Sequence, residues 1–473
     1  MRSHMNAAER IYAASTSDGD TASRLADALA RRIEDDILSR DLAPGGVLGS
    51  LRELSERYAV GRCVVREAIG LLERRGLGKM RPGPCGGFIL AKPRAETIAE
   101  ELADYFRATG VTLRQVLDAR EAVDLTATRF ASAIRPDAVE LALLEAARAP
   151  HDLSAHLSAR VEIARLAAQP VLLLFVVCLN SLTADFAREC TLPPPGGRLA
   201  VTNRRALGAR SGDAAVSGTG SSHEELAACL MDRQPAHSRA FEAASLTGRG
   251  RGLSAAIASS LAAEIAGLGR AGARLGSESD LCERFHVSRL TLRQAIRRLQ
   301  DCGLVECRRG RGNGLLIRDR RAAGSIRLML AYLVGAKTDP LVAGTILFQI
   351  NCFVPALAVS RADAEQRRNL EAALSRVEAC DPFDRYDLLA LVHCVSRLAQ
   401  SPIIDLFSRC LAAYEARFRP SLAERLPASA QAGYFQLVRQ LLARPLSATS
   451  ADIERAKMQC AALMLEMSRR RPI

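Results

Sequence analysis

Two pairs of arginines four residues apart, Arg62 with Arg66 and Arg289 with Arg293, are the residues of this chain whose types and spacing best suit chemistry. Side chains at that spacing share one face of a helix. The opposite face would carry Val65, Ala68, Ile69 and Leu72 in the first stretch, and Leu292, Ala295, Ile296 and Leu299 in the second. One face packs while the other offers guanidinium forks to a groove, which is helix-turn-helix logic. Further on, Arg308, Arg309 and Arg311 stand among glycines that let backbone approach a phosphate or a narrow groove. No Ser-His-Asp order, H-E-x-x-H, paired-carboxylate motif or G-x-x-x-x-G-K-[ST] loop stands out, so no enzyme is expected.

The elements that must hold these arginines come twice. The stretch from Leu48 to Leu77 aligns without a gap on the stretch from Leu275 to Leu304, at a constant offset of 227 residues. Hydrophobic spacing predicts a first helix over 22–39 and 253–268, a second over 50–58 and 277–285, and a third that carries each arginine pair. Ser288 is placed to cap the third helix of the second copy. Gly61 holds that place in the first, a cap weaker by about a few tenths of a kcal/mol. Short β-prone pieces around a Gly-rich turn, 78–90 and 305–317, read as hairpin wings. Long Ala/Leu/Arg-rich, helix-favouring sequence follows each block, so the repeat unit is a basic module plus a helical one.

Charge follows the repeat. Of 473 residues, 65 are Lys or Arg and 52 Asp or Glu, a formal charge of +13. Residues 22–92 hold a net +4 and residues 249–321 a net +8, which leaves the rest close to neutral. Two separate basic blocks are expected if each approaches a polyanion, and the imbalance predicts that the second grips harder. The longest uncharged apolar run, 170–179, is about half of the ~20 residues a membrane span needs, and is expected to be a core helix. Thirteen cysteines lack any C-x-x-C pair, which predicts reduced, buried thiols rather than disulfides or zinc. The N-terminal MRSHMNAAER has no apolar region before a cleavage site, so a cytoplasmic chain without a secretory leader is expected.

The order Val-x-Arg-x-x-x-Arg-x-Ala-x-x-x-Leu, then Gly-Leu and a Gly-rich wing, resembles the winged helix-turn-helix of GntR-type bacterial transcription regulators. The helical stretches resemble the all-helical effector domain of the FadR (FCD) subgroup. The resemblance implies a mainly α chain, with winged helix-turn-helix domains at 22–93 and 250–321 and effector-type domains at 94–246 and 322–473. It implies operator contacts from Arg52, Arg62 and Arg66, and from Arg289, Thr291 and Arg293. Ser279 stands where Arg52 would recur and Val64 where Thr291 would, so the two readers are not equivalent and the operator is an imperfect palindrome.

Many members of that family hold a divalent metal with one Asp and three His. Here His156 falls at the Asp position and Arg160 at the first His position; His223 fits the second, and Ser245 falls near the third. In the second copy Leu388 and Val392 occupy the first two positions and Tyr434 replaces the second His. Neither set supplies three converging N/O ligands, so no metal and no other cofactor is expected. Arg160 and His223 would instead hold an anionic ligand, an arginine fork suiting a carboxylate, or serve as an exposed arginine and a capping histidine. The expected partners are double-stranded operator DNA and a small organic-acid effector, with no membrane. With both readers in one polypeptide, a single chain would form the pseudo-two-fold equivalent of the family dimer, and such a chain could still form a homodimer. The expected activity is repression relieved by the effector. The rivals are a non-specific architectural DNA binder, for which the charge blocks alone suffice, and an enzyme fused to a DNA-binding module, which would need strand patterns that the helical halves lack.

Overall fold

The computed structural model of the chain describes residues 21–39, 44–83, 86–91, 93–148, 153–189, 253–268, 270–307, 314–318, 322–379, 391, 394–418 and 428–443. A first winged unit consists of α1 (Thr21–Ser39), β1 (Val47–Gly49), α2 (Leu51–Tyr58), α3 (Arg62–Arg74), β2 (Gly78–Arg81) and β3 (Gly87–Leu90). A first helical half follows: α4 (Ala95–Thr109), α5 (Leu113–Ile134), α6 (Pro136–Arg148), α7 (Leu153–Leu166) and α8 (Pro170–Glu189). The second winged unit repeats the order of the first, with α9 (Leu253–Leu268), β4 (Arg274–Gly276), α10 (Glu278–Phe285), α11 (Arg289–Asp301), β5 (Val305–Cys307) and β6 (Leu315–Ile317). The second helical half holds α12 (Ala323–Gly335), α13 (Pro340–Asn351), α14 (Val354–Arg361), α15 (Ala364–Glu378), α16 (Pro402–Phe418) and α17 (Ala428–Leu442). The fold is mainly α, with one small antiparallel sheet per winged unit, ordered β1-β3-β2 and β4-β6-β5.

Local chemistry explains why the two copies fold alike. Ser50 accepts from the Glu53 backbone and Glu53 reaches back to Ser50 N–H, a capping box that starts α2; Ser277 and Asp280 do the same for α10. Both helices end on a left-handed residue, Ala59 at φ 53° and His286 at φ 51°. A non-glycine residue there costs on the order of 1 kcal/mol, so equal strain at equivalent places marks the same tight turn. The match continues into the helical halves. Gly110 and Lys337 close α4 and α12 at positive φ, and Ala168 and Gln400 do so just before α8 and α16. Within the sheets, a Cβ on Gly87 would lie 2.8 Å from the Gly49 carbonyl oxygen, and one on Gly314 2.5 Å from that of Gly276, so only glycine lets these strands close.

Packing joins the copies in two ways. The helical halves meet around Phe175 on α8 and Phe407 on α16, fully buried rings stacked 3.8 Å apart and 1° from parallel. Both are the sixth residue of their helix, so equivalent side chains meet each other, as at an isologous contact. The winged units cross over. Helices α9 and α11 of the second pack on α4 of the first helical half, while α1 of the first packs on α12 of the second.

Two segments, Pro170–Ala187 and Pro340–Arg361, are long and apolar enough to cross a membrane, but 56% and 78% of their residues are buried inside the protein, as in core helices. The counterpart of α5 is interrupted at Cys352 and Phe353, which divide α13 from α14. The expectation of uniformly buried thiols needs correction: Cys178, Cys302, Cys352 and Cys410 are buried, but Cys63 and Cys307 are exposed.

Candidate nucleic-acid interface

Helices α3 and α11 are two-faced. Val65, Ala68, Ile69 and Leu72 are buried on one and Leu292, Ala295, Ile296 and Leu299 on the other, α3 packing chiefly on α1 and α11 on α9 of the same winged unit. This burial fixes what remains outside. On α3 the outward residues are Arg62, Cys63, Arg66 and Glu67; on α11 they are Arg289, Leu290, Arg293, Gln294 and Arg297. Ser288 caps α11 by accepting from Thr291 N–H, whereas Gly61 gives α3 no side-chain cap. Each face therefore presents forked donors from the first two turns of a helix held down by its own core.

The predicted contact residues are not in one state. Arg62, Arg66 and Arg289 are exposed, and among the described residues no carboxylate pairs with them. Arg52 is exposed too, but its Nε donates to Glu56 at 2.9 Å. Arg293 forks onto Glu278, Nε at 2.5 Å and the second nitrogen at 3.2 Å. Thr291 is half-buried and engaged in the cap, its Oγ1 2.9 Å from Ser288 Oγ. On the wings, Lys79 and Arg81 on β2 are exposed, while Arg308, Arg309 and Arg311 lie outside the described residues.

Three outward residues escaped the sequence reading. Leu290 is 68% exposed, the most exposed large apolar side chain among the described residues, and sits between Arg289 and Thr291. Gln294 and Arg297 share its face. Their signal was the helical period itself, since 290, 294 and 297 follow 289 and 293 around one side. The equivalent positions of α3 hold Cys63, Glu67 and Gly70, so the second face is the more cationic one.

Inside the first helical half, Arg160 is 4% exposed, which removes the reading of it as an exposed arginine. Its Nε lies 3.7 Å from Asp124 Oδ2. Beside it is Arg120, fully buried and unnoticed in the sequence, where its only mark was Asp124 four residues on. Arg120 donates to Thr183 Oγ1 at 2.8 and 3.1 Å, to Asn180 Oδ1 at 2.9 Å and to Asp124 at 3.5 Å. Burial holds its pKa below the usual guanidinium value, Asp124 opposing and Arg160 reinforcing the shift. Two guanidiniums thus converge on one carboxylate with an amide and a hydroxyl beside them.

The second half differs. Asn351 stands at the position of Asp124, hydrogen-bonded to Ser408 at 2.9 Å and Ser396 at 3.3 Å, and Leu347 replaces Arg120. His223, Ser245, Leu388 and Val392 lie outside the described residues, and nothing is described of the Tyr434 side chain. Among the described residues no three His, Cys, Asp or Glu side chains gather where a metal could sit. The residues present fit an anion better than a cation, because Arg160, at a position where the resembled family has a ligand, cannot coordinate a metal.

Comparison with known proteins agrees with the winged units. Residues 25–84 and 253–314 both match the family of bacterial regulatory proteins, gntR family. The chain is 33% identical over 108 residues to a Mycobacterium gastri protein described as an HTH-type transcriptional regulator, RmpR, a match covering 22% of this chain and 39% of that one. It is 34% identical over 114 residues to an uncharacterized HTH-type transcriptional regulator of Mycobacterium tuberculosis, covering 23% and 45%. The chain therefore spans less than half the length of these curated relatives. A solved Streptococcus agalactiae GntR structure is matched at 19% identity and TM-score 0.29, over 46% of this chain and 100% of that one.

Proposed function

We propose that this chain, whose two winged helix-turn-helix units are of the GntR type, is a sequence-specific DNA-binding transcription regulator that acts as a single-chain pseudo-dimer. Its domains are the winged units at 22–93 and 250–321 and FCD-type helical domains at 94–246 and 322–473. The observation that carries this reading is the pair of outward faces on α3 and α11, each held down by its own core and each led by two arginines. Recognition helices of a dimer enter the major groove about one duplex turn, ~34 Å, apart. Here both belong to one polypeptide, and the stacked Phe175 and Phe407 supply the pseudo-two-fold contact between the halves.

The two readers would not see the same half-site. Arg289 and Arg293 suit guanine edges, Gln294 suits adenine and Leu290 suits a thymine methyl; the first reader has Glu67 and Cys63 at the last two places. Arg52, Arg62, Arg66 and the wing residues Arg308, Arg309 and Arg311 add phosphate and groove contacts, and Thr291 contributes by fixing the first turn of α11. In the helical part, Arg120 and Arg160 would hold a small organic acid through its carboxylate, and occupancy would shift the readers away from the DNA-binding arrangement, relieving repression in the bacterial cytoplasm.

Selection of bound sequences from random DNA tests the core of this reading. The expected product is one bipartite site with two different arms about a helical turn apart. Recovery of no preferred sequence would replace it with a non-specific architectural role.

A further inference from the structure

The crossed packing of the winged units carries an inference of its own, because the two crossing interfaces are built from unlike charges at equivalent positions. Where the second reader meets the first helical half, the platform is acidic. Asp104 on α4 is 1% exposed and accepts from Ser259 Oγ of α9 at 2.7 Å and from Arg107 at 2.6 Å. Arg298 of α11 reaches the other Asp104 oxygen at 3.4 Å. Arg107 also donates to Ser259 Oγ at 3.1 Å, to Ser181 Oγ at 2.7 Å and to Asp185 at 2.7 Å, the last two on α8. The Cys302 thiol, just past α11, donates to the Glu101 carbonyl at 3.2 Å.

Where the first reader meets the second helical half, the signs are exchanged. Arg417 on α16 donates to Asp35 at 2.6 Å, to Glu34 at 3.1 Å and to the Arg31 carbonyl at 2.5 Å, all on α1. Glu34 is buried and also held by Arg75 at 2.7 Å. Arg417 is the residue sixteenth from the start of α16, and its equivalent on α8 is Asp185. Aligned on their buried positions, with Leu29, Ile33 and Ile37 of α1 against Ile257, Leu261 and Ile265 of α9, Glu34 and Asp35 correspond to Ala262 and Ala263 and Arg31 to Ser259, while Asp104 and Arg107 correspond to Ala331 and Val334.

We infer that each reader is keyed by charge to the helical half of the other copy, and is matched less well by its own. Docked on the first helical half, the first reader would exchange Arg417 for Asp185 beside Glu34 and Asp35, setting carboxylates against a carboxylate, with Arg31 falling where Ser259 meets Asp104. Docked on the second, the second reader would set Ala262 and Ala263 against Arg417, taking from its guanidinium the Glu34 and Asp35 carboxylates that it now meets. Pairing at the right seam and its loss or reversal at the wrong one together fix the assignment, as in specific interfaces generally. A regulatory consequence follows and rests on the effector reading above. Helix α8 holds Arg120 through Asn180 and Thr183, and Arg107 through Ser181 and Asp185. A ligand at Arg120 and Arg160 therefore addresses the second reader rather than the first.

Hydrogen–deuterium exchange on the full chain, without DNA or ligand, tests the key directly. Arg417→Asp should raise exchange over 21–39 by about tenfold or more and leave 253–268 unchanged. Arg417→Met, which keeps bulk and removes charge, should open 21–39 less than Arg417→Asp does. Combining Arg417→Asp with Asp35→Arg should restore protection, and Asp185→Arg should open 253–268 and spare 21–39. Equal effects of Asp and Met at 417 would make it a packing contact and overturn the proposal, as would both readers opening together or no rescue by the paired swap. If Arg417→Asp does not fold, unchanged protection over 21–39 in Arg417→Met overturns it. Since no DNA enters this experiment, its failure is distinct from failure of the DNA-reading assignment.

Discussion

At the residue scale the outward faces of α3 and α11 divide into exposed arginines with no carboxylate partner among the described residues and side chains already engaged. For the proposed DNA contact, Arg293 would have to exchange Glu278 for a base or phosphate. Arg293→Ala is expected to cost about 1–3 kcal/mol at the selected site if the arginine is bidentate to guanine; a fluorescence-anisotropy titration that found the same loss on random DNA would make it a phosphate contact. Leu290 offers a sharper test. If it packs on a thymine methyl, replacing that thymine with uracil should weaken wild-type binding by about 0.8 kcal/mol per buried methyl, and Leu290→Ala should lose the distinction. The arginine pairs were legible in the sequence because a four-residue spacing defines a helix face. Arg120 was not, because a buried guanidinium satisfied by Thr183 and Asn180, some sixty residues away, looks in sequence like any polar residue of an amphipathic helix.

At the element scale the copies share turns and differ in caps. Ser288→Ala should destabilise the second winged unit by about 1 kcal/mol, and no residue of α3 can show the same effect, since Gly61 provides no side-chain cap. Chemical denaturation followed by exchange over α11 would report it. The seam between α4 and the second winged unit should also respond to pH. Burial, only partly opposed by Arg298, pushes the Glu101 carboxyl up to about 8. A carboxyl raised above its unfolded value favours the fold most below about 4.5, and that contribution is lost as pH rises through about 8. Thermal melts should therefore show stability declining across that window, and Glu101→Gln should flatten the decline. Helix boundaries and wings were largely readable, because capping residues and glycines announce them. The crossing of the winged units was not, since Asp104, Asp185, Ser259 and Arg417 are far apart in the chain and acquire meaning only when folded together.

For the whole molecule, the expected functional unit is one chain on one bipartite site. Light scattering should give a monomer both free and on DNA; a dimer with one reader of each chain idle would refute the pseudo-dimer. Affinity should fall steeply as salt rises, because several phosphates are neutralised and their counterions released. A flat dependence would contradict the assignment of both basic blocks to DNA.

The stack of Phe175 on Phe407 has a consequence for how such a molecule can change. In a true homodimer one codon sets both rings at the two-fold axis, so each mutation is made on both sides at once and must suit itself. In the proposed pseudo-dimer each side of the axis has its own codon. Asp185 and Arg417 can then hold opposite charges at equivalent places, a combination that no symmetric pair of identical subunits can encode.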